Sequence, residues 1–537
     1  YRVSLTVRNG RFFAPFLGDG EEAGVVVPDN LKLNADLHMA DQTARVKVGV
    51  SPRQGSLNMV AGYGMKDNSY YAGVRLREFA LNEFMPKDSL GMVSATLSAS
   101  GKGLDLKTAA GKVNLALALL QYNGYDYKDI TLNAVLKEGV LNGALASGNK
   151  ELDMDMKFQL TAGDKGYEAK IESDIRNADL KGLHFMPEEL AFSLGLTLQG
   201  ELNADSTSAL KADFTDIVLK DVGTRQLGDL NISFAGEDNR TRLNVNAGDL
   251  SVKFNGKGNG YLLARQFAKA GELLAGQLEI HDFNMEQLGE VLPDFSLTID
   301  AAQKNILNSY LKNNGMRFKR VGIELGTDTE SHFKMDAGVF GLDIEGFVID
   351  SVFMNAHGQG VALRYGVNVF GAKNQLEALS QLTAEGSVEH DQVNVRLRER
   401  ENKDGEIFNI GANIAFQDSA VSVSISPDPL VLGYVSWQVN RGNFVRLKQG
   451  EIPAANLQLL NGDKRIRLVS EEGANREPES LVVDIKGIDL GHISDVLSFI
   501  PDMSGMLGVD LQMHSKNKVI DVGGNITINE FNYQQER

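Results

Sequence analysis

The feature that most constrains this chain is the alternation of apolar and polar residues with a period of two. In residues 31–39 every second position is apolar, and lysine, asparagine, aspartate and histidine lie between. The alternation recurs in residues 93–100, 152–160, 192–198 and 507–513. Successive side chains of a β-strand point to opposite faces, so each segment has one apolar and one polar face. Because strands buried on both faces are continuously apolar, the pattern predicts an antiparallel sheet that curls to bury one face.

The composition agrees with many strands joined by tight turns. Glycine is frequent, with 56 residues, and proline is rare, with 11, which argues against a collagen-like or disordered chain. The alternation continues from end to end without a shift in composition. We therefore predict an all-β fold, with one elongated repetitive antiparallel sheet, a hydrophobic groove and a few short helices.

Three segments have helical spacing instead. Residues 262–275 are rich in alanine and leucine, and Gly276 is the expected stop. Residues 301–313 follow Asp300, a good N-cap residue, and are expected to end at Gly315. A short helical turn is expected near residues 492–499. All three are interpreted as caps or covers of the sheet edge, with a lid or docking element as the alternative.

An internal repeat of roughly 100 residues organises the chain. Three apolar residues recur with offsets of 0, 5 and 8, and a proline follows each set. The sets are Leu76, Leu81 and Phe84 with Pro86; Ile175, Leu180 and Leu183 with Pro187; Ile280, Met285 and Leu288 with Pro293; and Ile485, Leu490 and Ile493 with Pro501. Their starts lie 99, 105 and 205 residues apart (175−76, 280−175 and 485−280), so a degenerate copy is expected from Leu376. Each copy is interpreted as a strand, a short helical turn, a proline stop and new strands.

The repeat predicts the domain organisation. Its boundaries give a first β repeat at 1–75, a second at 76–174, a third at 175–279 that ends in a helix, two repeats at 280–484 with a helix near 301–313, and the start of another at 485–537. These are expected to form one continuous groove rather than independent domains.

The sequence contains none of the common catalytic or metal-binding motifs. There is no cysteine, no two of the eight histidines are close in sequence, and no HExxH, G-x-S-x-G or phosphate-loop motif occurs. Gly256, Gly258 and Gly260 are interpreted as a bulged strand end rather than a dinucleotide-binding loop. The neighbouring carboxylates Asp153 and Asp155 fit a solvated strand face. We therefore expect no enzyme activity, no cofactor and no metal.

The net charge of −17 argues against nucleic acid, which favours a basic face, and against broad adsorption to an anionic membrane. The chain begins at Tyr1 without a signal peptide and has no run of 18 apolar residues. We expect it to be a piece of a longer protein, with any membrane anchor outside it.

The candidate site is the apolar face itself, and an ordinary dry core is the alternative. Little helix is expected to cover so much sheet, which favours an open channel that acyl chains fill at about 0.8 kcal/mol per buried CH₂. Met154, Met156 and Phe158 are the preferred contacts, because methionine adapts to irregular ligands. The predicted lipid-facing residues are Leu31, Leu33, Leu37, Val93, Leu97, Val113, Leu115, Leu117, Leu152, Met154, Met156, Phe158, Leu160, Phe192, Leu194, Leu196, Leu198, Leu507, Val509 and Leu511.

Four passages resemble the TamB/AsmA-like family of bacterial envelope proteins. They are IRNADLKGLHFMPEELAFSLGLTLQGELNAD from Ile175, IKGIDLGHISDVLSFIPDMSGMLGVDLQM from Ile485, DITLNAVLKEGVLNGALAS from Asp129 and LVLGYVSWQVNRGNFVRLKQGEI from Leu430. The resemblance spans nearly the whole chain as a style of repeat, without a catalytic signature or motif residues to transfer.

The resemblance implies a β-taco, a long U-shaped sheet with an apolar inside, in a protein of the periplasm. It implies phospholipid transport between the inner and outer membranes, an inner-membrane anchor before this segment, and an Omp85-type outer-membrane partner contacted by regions outside it. One alternative is a scaffold or chaperone that pairs a free sheet edge with outer-membrane strands. Another is a carbohydrate-binding or lyase-type β-solenoid, for which the single tryptophan, Trp437, provides a poor aromatic platform.

Overall fold

The computed structural model describes most of the chain. The described residues are 1–8, 26–86, 88–103, 105, 107–164, 166–203, 207–221, 223–313, 315–328, 332–373, 378–401, 405–417, 420–427, 429–472, 478–496, 503–516 and 519–533. Pro501, Leu376 of the degenerate repeat copy and residues 497–499 of the third predicted helical segment lie outside them.

The protein is all-β, as the alternation predicts, and its strands pair antiparallel. The chain divides into two compact units, Tyr1–Gly248 (unit 1) and Asp249–Arg537 (unit 2). The strands of unit 1 are β1 Arg2–Val7, β2 Leu31–Ala40, β3 Thr43–Ser51, β4 Ser56–Gly64, β5 Ser69–Ala80, β6 Leu90–Lys102, β7 Ala110–Tyr122, β8 Tyr125–Tyr127, β9 Ile130–Lys137, β10 Val140–Gly148, β11 Leu152–Gly163, β12 Gly166–Asp179, β13 Ala191–Asn203, β14 Ser208–Lys220, β15 Thr224–Gln226, β16 Leu230–Glu237 and β17 Arg240–Ala247. The predicted repeat boundaries stay predictions.

Unit 2 contains the remaining strands and the α-helices. Its strands are β18 Leu250–Lys257, β19 Phe295–Ala301, β20 Met316–Arg317, β21 Arg320–Gly326, β22 Lys334–Ile344, β23 Phe347–Gln359, β24 Ala362–Lys373, β25 Ala378–Glu389, β26 Gln392–Glu401, β27 Gly405–Gln417, β28 Ala420–Ile425, β29 Leu430–Leu432, β30 Val435–Val439, β31 Phe444–Lys448, β32 Glu451–Asn461, β33 Lys464–Glu472, β34 Pro478–Asp489, β35 Met503–Lys516 and β36 Val519–Tyr533. Its helices are α1 Gly260–Glu279, α2 Met285–Val291, α3 Ile306–Asn313 and α4 Leu490–Val496, and unit 1 has a 3₁₀ turn at Leu81–Glu83.

Tight turns join neighbouring strands. Asn123 and Gly124, between β7 and β8, adopt φ angles of 52° and 77°, and Tyr122 pairs with Tyr125 across them. Positive φ at both central positions is what a type I′ turn requires, and its twist matches that of the paired strands.

A β-bulge follows the first residue of three repeat copies. The pairing register shifts immediately after Leu76, Ile175 and Ile485. An extra residue bends a strand and ends regular pairing, so the chain turns away from the sheet there. In the first copy the turn that follows places Leu81 and Phe84 on a core cluster of the apolar face. The repeated apolar triplet therefore corresponds to a strand, a bulge and a turn in these copies.

The third copy differs from the prediction that each triplet starts on a strand. Ile280 directly follows helix α1 and is 69% exposed, whereas Met285 and Leu288 are buried on α2. Only the second and third positions of this triplet pack into the protein.

Helix α1 is longer than predicted, and Gly276 does not end it. The buried side chain of Gln277 donates to the carbonyl of Asn284 at 3.2 Å and accepts from its N–H at 3.2 Å. These bonds hold the last turn of α1 against the start of α2. Met285, which is 1% exposed, anchors the α1–α2 pair in a core cluster with Phe283 and Leu288.

Helix α3 begins at Ile306, so the predicted start at residue 301 with Asp300 as N-cap is wrong. Asp300 and Ala301 belong to β19 and pair with β21, and sheet pairing competes with helix formation there. The capping residue is instead Asn305, whose Oδ1 accepts from the N–H of Asn308 at 2.8 Å.

The carboxylate of Asp249 secures the segment before α3. It accepts hydrogen bonds from the N–H of Ala302 at 3.2 Å, the N–H of Lys304 at 2.7 Å and Nδ2 of Asn305 at 2.6 Å. Burial alone raises the pKa of Asp249, but these hydrogen bonds outweigh it, and the pKa lies below its ordinary value.

An Asp249→Asn variant is expected to lose about 1 kcal/mol of stability at pH 7, because the neutral amide has one acceptor oxygen instead of two and the position is solvent-exposed. A carboxyl group whose pKa is lower in the folded than in the unfolded protein stabilises the fold at pH values above its unfolded pKa, which is about 3.9 for aspartate. This stabilisation is lost as the pH falls through the pKa of the folded state. The difference from wild type should therefore shrink below about pH 4. Hydrogen exchange of residues 302–313, followed as a function of pH in wild type and variant, measures this stability difference. A difference that does not depend on pH would contradict the role of the charge.

Candidate functional site: an apolar sheet face

The strand register of unit 1 aligns apolar side chains into rows. Residues paired across antiparallel strands lie side by side on one face of the sheet. Leu97 pairs with both Val74 and Leu115, and Met156 pairs with Leu145 on one side. An apolar stripe within one strand therefore continues into the next strand.

One row, which we call the first row, takes one residue from every strand of unit 1 except the short β8 and β15. Its members in spatial order are Val3, Ala35, Val48, Met59, Val74, Leu97, Leu115, Leu132, Leu145, Met156, Ser173, Leu196, Phe214, Leu230 and Ala247. Ser173 is its one polar member, and this side chain is 6% exposed and donates to the carbonyl of Asp155 at 3.1 Å. The row therefore crosses the unit without a charged or free polar group.

The seventeen predicted residues in unit 1 share this face. Leu97, Leu115, Met156 and Leu196 lie in the first row. A flanking row holds Leu33, Leu117, Met154 and Leu194, and the row on the other side holds Leu37, Val113, Phe158 and Leu198. The others are Leu31, Val93, Leu152, Leu160 and Phe192, which continue the face along their own strands.

The remaining predicted residues, Leu507, Val509 and Leu511, lie on β35 in unit 2. Val509 pairs with Ile485 and Leu511 with Val483, so they form part of an apolar face of that unit. A single groove formed by all twenty residues stays a prediction.

Most of the predicted residues are half-buried. Val93 is 5% and Leu31 6% exposed, so these two are buried by surrounding protein, whereas Leu37 is 38% and Leu160 41% exposed. The other residues of the set fall between these extremes. A closed core would bury them as deeply as Val93, so the described part of unit 1 leaves its apolar face partly open.

The opposite face is polar and charged. The guanidinium group of Arg176 forms a salt bridge with Asp155 at 2.7 Å and further salt bridges with Asp153 and Asp174. Its hydrogen bond holds the pKa of Asp153 below the ordinary value. The two aspartates that the sequence placed on a solvated strand face are therefore ion-paired there, and neither lies on the apolar face.

A cavity of about 780 Å³ lies on the polar face of β4 to β9. Its polar lining residues, Asn58, Arg75, Thr96, Asn114 and Asn133, were not proposed as a site from the sequence, although Leu97 and Leu115 of the predicted lipid-facing set also border the cavity. These amide, hydroxyl and guanidinium groups suit water or polar ligands rather than acyl chains.

Sequence reasoning also missed a smaller apolar cavity in unit 2. About 270 Å³ in volume, it lies beside Trp437 and is lined mainly by aliphatic and aromatic side chains. Its one sequence signal is the single tryptophan of the chain, set in the apolar segment that begins at Leu430.

The apolar face of unit 2 is also less uniform than that of unit 1. Helices α1 and α2 cover part of it, with Phe267 packed edge-on against Phe295 at 5.0 Å. Glu399 lies between Leu382 and Phe408 in one of its apolar rows. Unit 1 therefore offers the more continuous apolar surface.

Comparisons with known proteins identify no relative of this chain, so the site is interpreted from its own residues. No family model matches the sequence, and neither a curated protein nor a solved structure matches it. The antiparallel sheet is compatible with a β-taco or bridge-like fold. In the described part of the chain, the helices are too short or too polar to cross a bilayer.

Proposed function

We propose that the apolar face of unit 1 binds the acyl chains of phospholipids and that the protein carries phospholipid between the inner and outer membranes of a bacterial envelope. The observation that carries the proposal is the first row, a register-aligned apolar stripe most of whose members are half-buried. Each CH₂ group transferred from water to such a surface contributes about 0.8 kcal/mol. A chain of a dozen or more such groups therefore has ample driving force to bind.

The side chains on this face favour shape over chemical selection. Ser173, the polar member of the first row, already donates to the backbone. No charged side chain interrupts the row. Acyl chains would therefore bind by apolar contact, with little head-group selection and no catalytic step.

The cellular setting rests on the resemblance of the passages from Ile175 and Ile485 to TamB/AsmA-like proteins. We place the protein in the periplasm, held at the inner membrane by a segment outside this chain. Contact with an Omp85-type outer-membrane protein would use regions outside it as well. These statements share one test, which is whether the full-length protein fractionates with the inner membrane and cross-links to such a partner.

The proposal predicts that the purified chain carries phospholipid and that Met156→Arg loses most of it. Met156 lies in the first row between Leu145 and Ser173, so an arginine there places a charge among acyl chains. Native mass spectrometry with lipid extraction measures the bound lipid. Asn142→Arg, on the polar face of β10, is the control and should keep its lipid.

A lipid-free, stable and monodisperse wild type would overturn the proposal. The apolar face would then be closed in solution. The scaffold function, in which a sheet edge pairs with outer-membrane strands, would become the leading candidate.

A further inference from the structure

The cavity beside Trp437 is enclosed by a local branch of the sheet in unit 2. Strand β27 pairs with both β28 and β29, while β30 and β31 both pair with β32. The short hairpin β29–β30 turns through Gly433 and Tyr434, whose φ angles are 59° and 61°. This hairpin holds Trp437 on β30 against the cavity.

Helix α4 closes another side. Asp489 caps it by accepting from the N–H of Gly491 at 2.9 Å. Nε2 of His492 donates to the carbonyl of Gly433 at 2.5 Å, which ties the helix to the hairpin turn. The strands and the helix that form the cavity walls are therefore connected by hydrogen bonds, which hold the cavity open within unit 2.

The lining is apolar on most sides. Phe408, Leu432, Val435, Trp437, Ile466 and Ile493 contribute side chains, and the adjoining core residues Leu430 and Leu459 are only 3% and 8% exposed. The volume of about 270 Å³ exceeds that of an engineered apolar cavity of about 150 Å³ that stays dry and binds benzene. The space therefore accommodates several linked methylene groups.

Two polar features distinguish this cavity from a simple packing void. Nε1 of Trp437 is buried and has no hydrogen-bond partner among the described residues. A buried donor without an acceptor is destabilising. Lys464 also lines the cavity, and within the described residues its ammonium group forms no ion pair. Asp489 also lines the cavity, but its carboxylate accepts from the N–H of Gly491 at the start of α4, so Lys464 is the charged lining group that can donate to an anion.

We propose that this cavity binds one alkyl chain that carries an anionic oxygen group, with the chain among the apolar side chains and the anion at Lys464. The shared chemistry is that of a free fatty acid or of the acyl chain and phosphate of a phospholipid. The inference rests on the proposed function for its class of ligand, but it concerns a separate, discrete site in unit 2.

Trp437 is the only tryptophan of the chain, so its fluorescence reports this site directly. Delipidated protein is titrated with a fatty acid brominated in mid-chain and, separately, with a phospholipid that carries a brominated chain. We expect saturable quenching at one ligand per chain. Quenching by the fatty acid alone assigns a free fatty acid, and quenching by the phospholipid alone assigns a phospholipid.

Lys464→Gln tests the anion without changing the apolar walls. It should weaken binding of the brominated fatty acid at least fivefold while leaving binding of the matching brominated alcohol unchanged. Lys486→Gln, an exposed lysine outside the cavity on β34, is the matched control and should have no effect.

Filling the cavity gives a second test. Val435→Phe should abolish saturable quenching while far-UV circular dichroism stays unchanged. Persistent quenching in a folded Val435→Phe variant would overturn the site.

Absence of quenching while native mass spectrometry shows bound lipid that Met156→Arg removes would overturn this site and leave the proposed function standing. If quenching is saturable but Met156→Arg does not change the lipid content of the chain, the cavity site stands and the proposed function of the apolar face is overturned.

Discussion

A Leu196→Arg variant should retain about a tenth or less of the lipid that the wild-type chain carries. Leu196 is half-buried in the first row, beside Ser173 and Phe214. A guanidinium group at this position must either lose its hydration among acyl chains or hold the chains away from the face. Either cost amounts to several kcal/mol, and about 1.4 kcal/mol already corresponds to a tenfold change in affinity.

The neighbouring residue provides a closely matched control. Thr197 is exposed on the opposite face of the same strand, where Glu172 and Asp213 are its cross-strand partners. Thr197→Arg adds the same charge to the same strand beside two carboxylates, so lipid content and melting temperature should stay at the wild-type level. Phosphate analysis of lipid extracts from equal amounts of purified protein measures the pair.

Two outcomes would count against an acyl-binding face. If Leu196→Arg is folded and carries normal lipid, the first row does not contact acyl chains at this position. If both variants lose lipid equally, charge on the chain rather than its position on the face decides lipid content.

In lipid-free protein, Phe79→Ala should cost about 3–5 kcal/mol of stability, whereas Phe158→Ala should cost about 1–2 kcal/mol. Phe79 is 5% exposed and stacks on Phe84, with ring centroids 5.2 Å apart. Phe158 is only half-buried, and its ring lies over Gly143 on the open face. The same truncation therefore removes far more buried surface at Phe79.

Added phospholipid should also affect the stability of the Phe79 and Phe158 variants differently. A ligand that binds only the folded protein stabilises it, so added phospholipid should raise the stability of wild type. Phe158→Ala should lose part of that increment, and Phe79→Ala should keep it. Urea denaturation, with and without phospholipid, measures the stability cost of each substitution and the increment from lipid. Hydrogen exchange in β5 and β11 measures the same effects locally, around Phe79 and Phe158. Equal costs for the two variants without lipid would mean that the face is a closed core.

The sequence by itself determined the fold class and which residues share a face. Alternation is a local property, because backbone geometry sends successive side chains of a strand to opposite sides. Met154, Met156 and Phe158 therefore share a face in any register of β11 with its neighbours. The helix near residues 262–275 and the turns after Leu76 and Ile485 were also predictable, because capping residues and helical spacing act locally.

Only the tertiary structure decided which residues lie side by side and how deeply each is buried. The register of each strand depends on turns and bulges, and bulges such as those after Leu76 and Ile175 leave no distinct signal in the alternation. Burial depends on what covers the face: Val93 is buried in a core cluster, while Leu160 on the same face is 41% exposed.

The cavity beside Trp437 was beyond sequence reasoning for the same reason. Its walls come from β27, β29, β30, β33, β34 and α4, segments up to 85 residues apart from Phe408 to Ile493 (493−408). Phe408, Ile466 and Ile493 are ordinary apolar residues within their own segments. Long-range strand pairing brings them together around one cavity, and no local pattern encodes that arrangement.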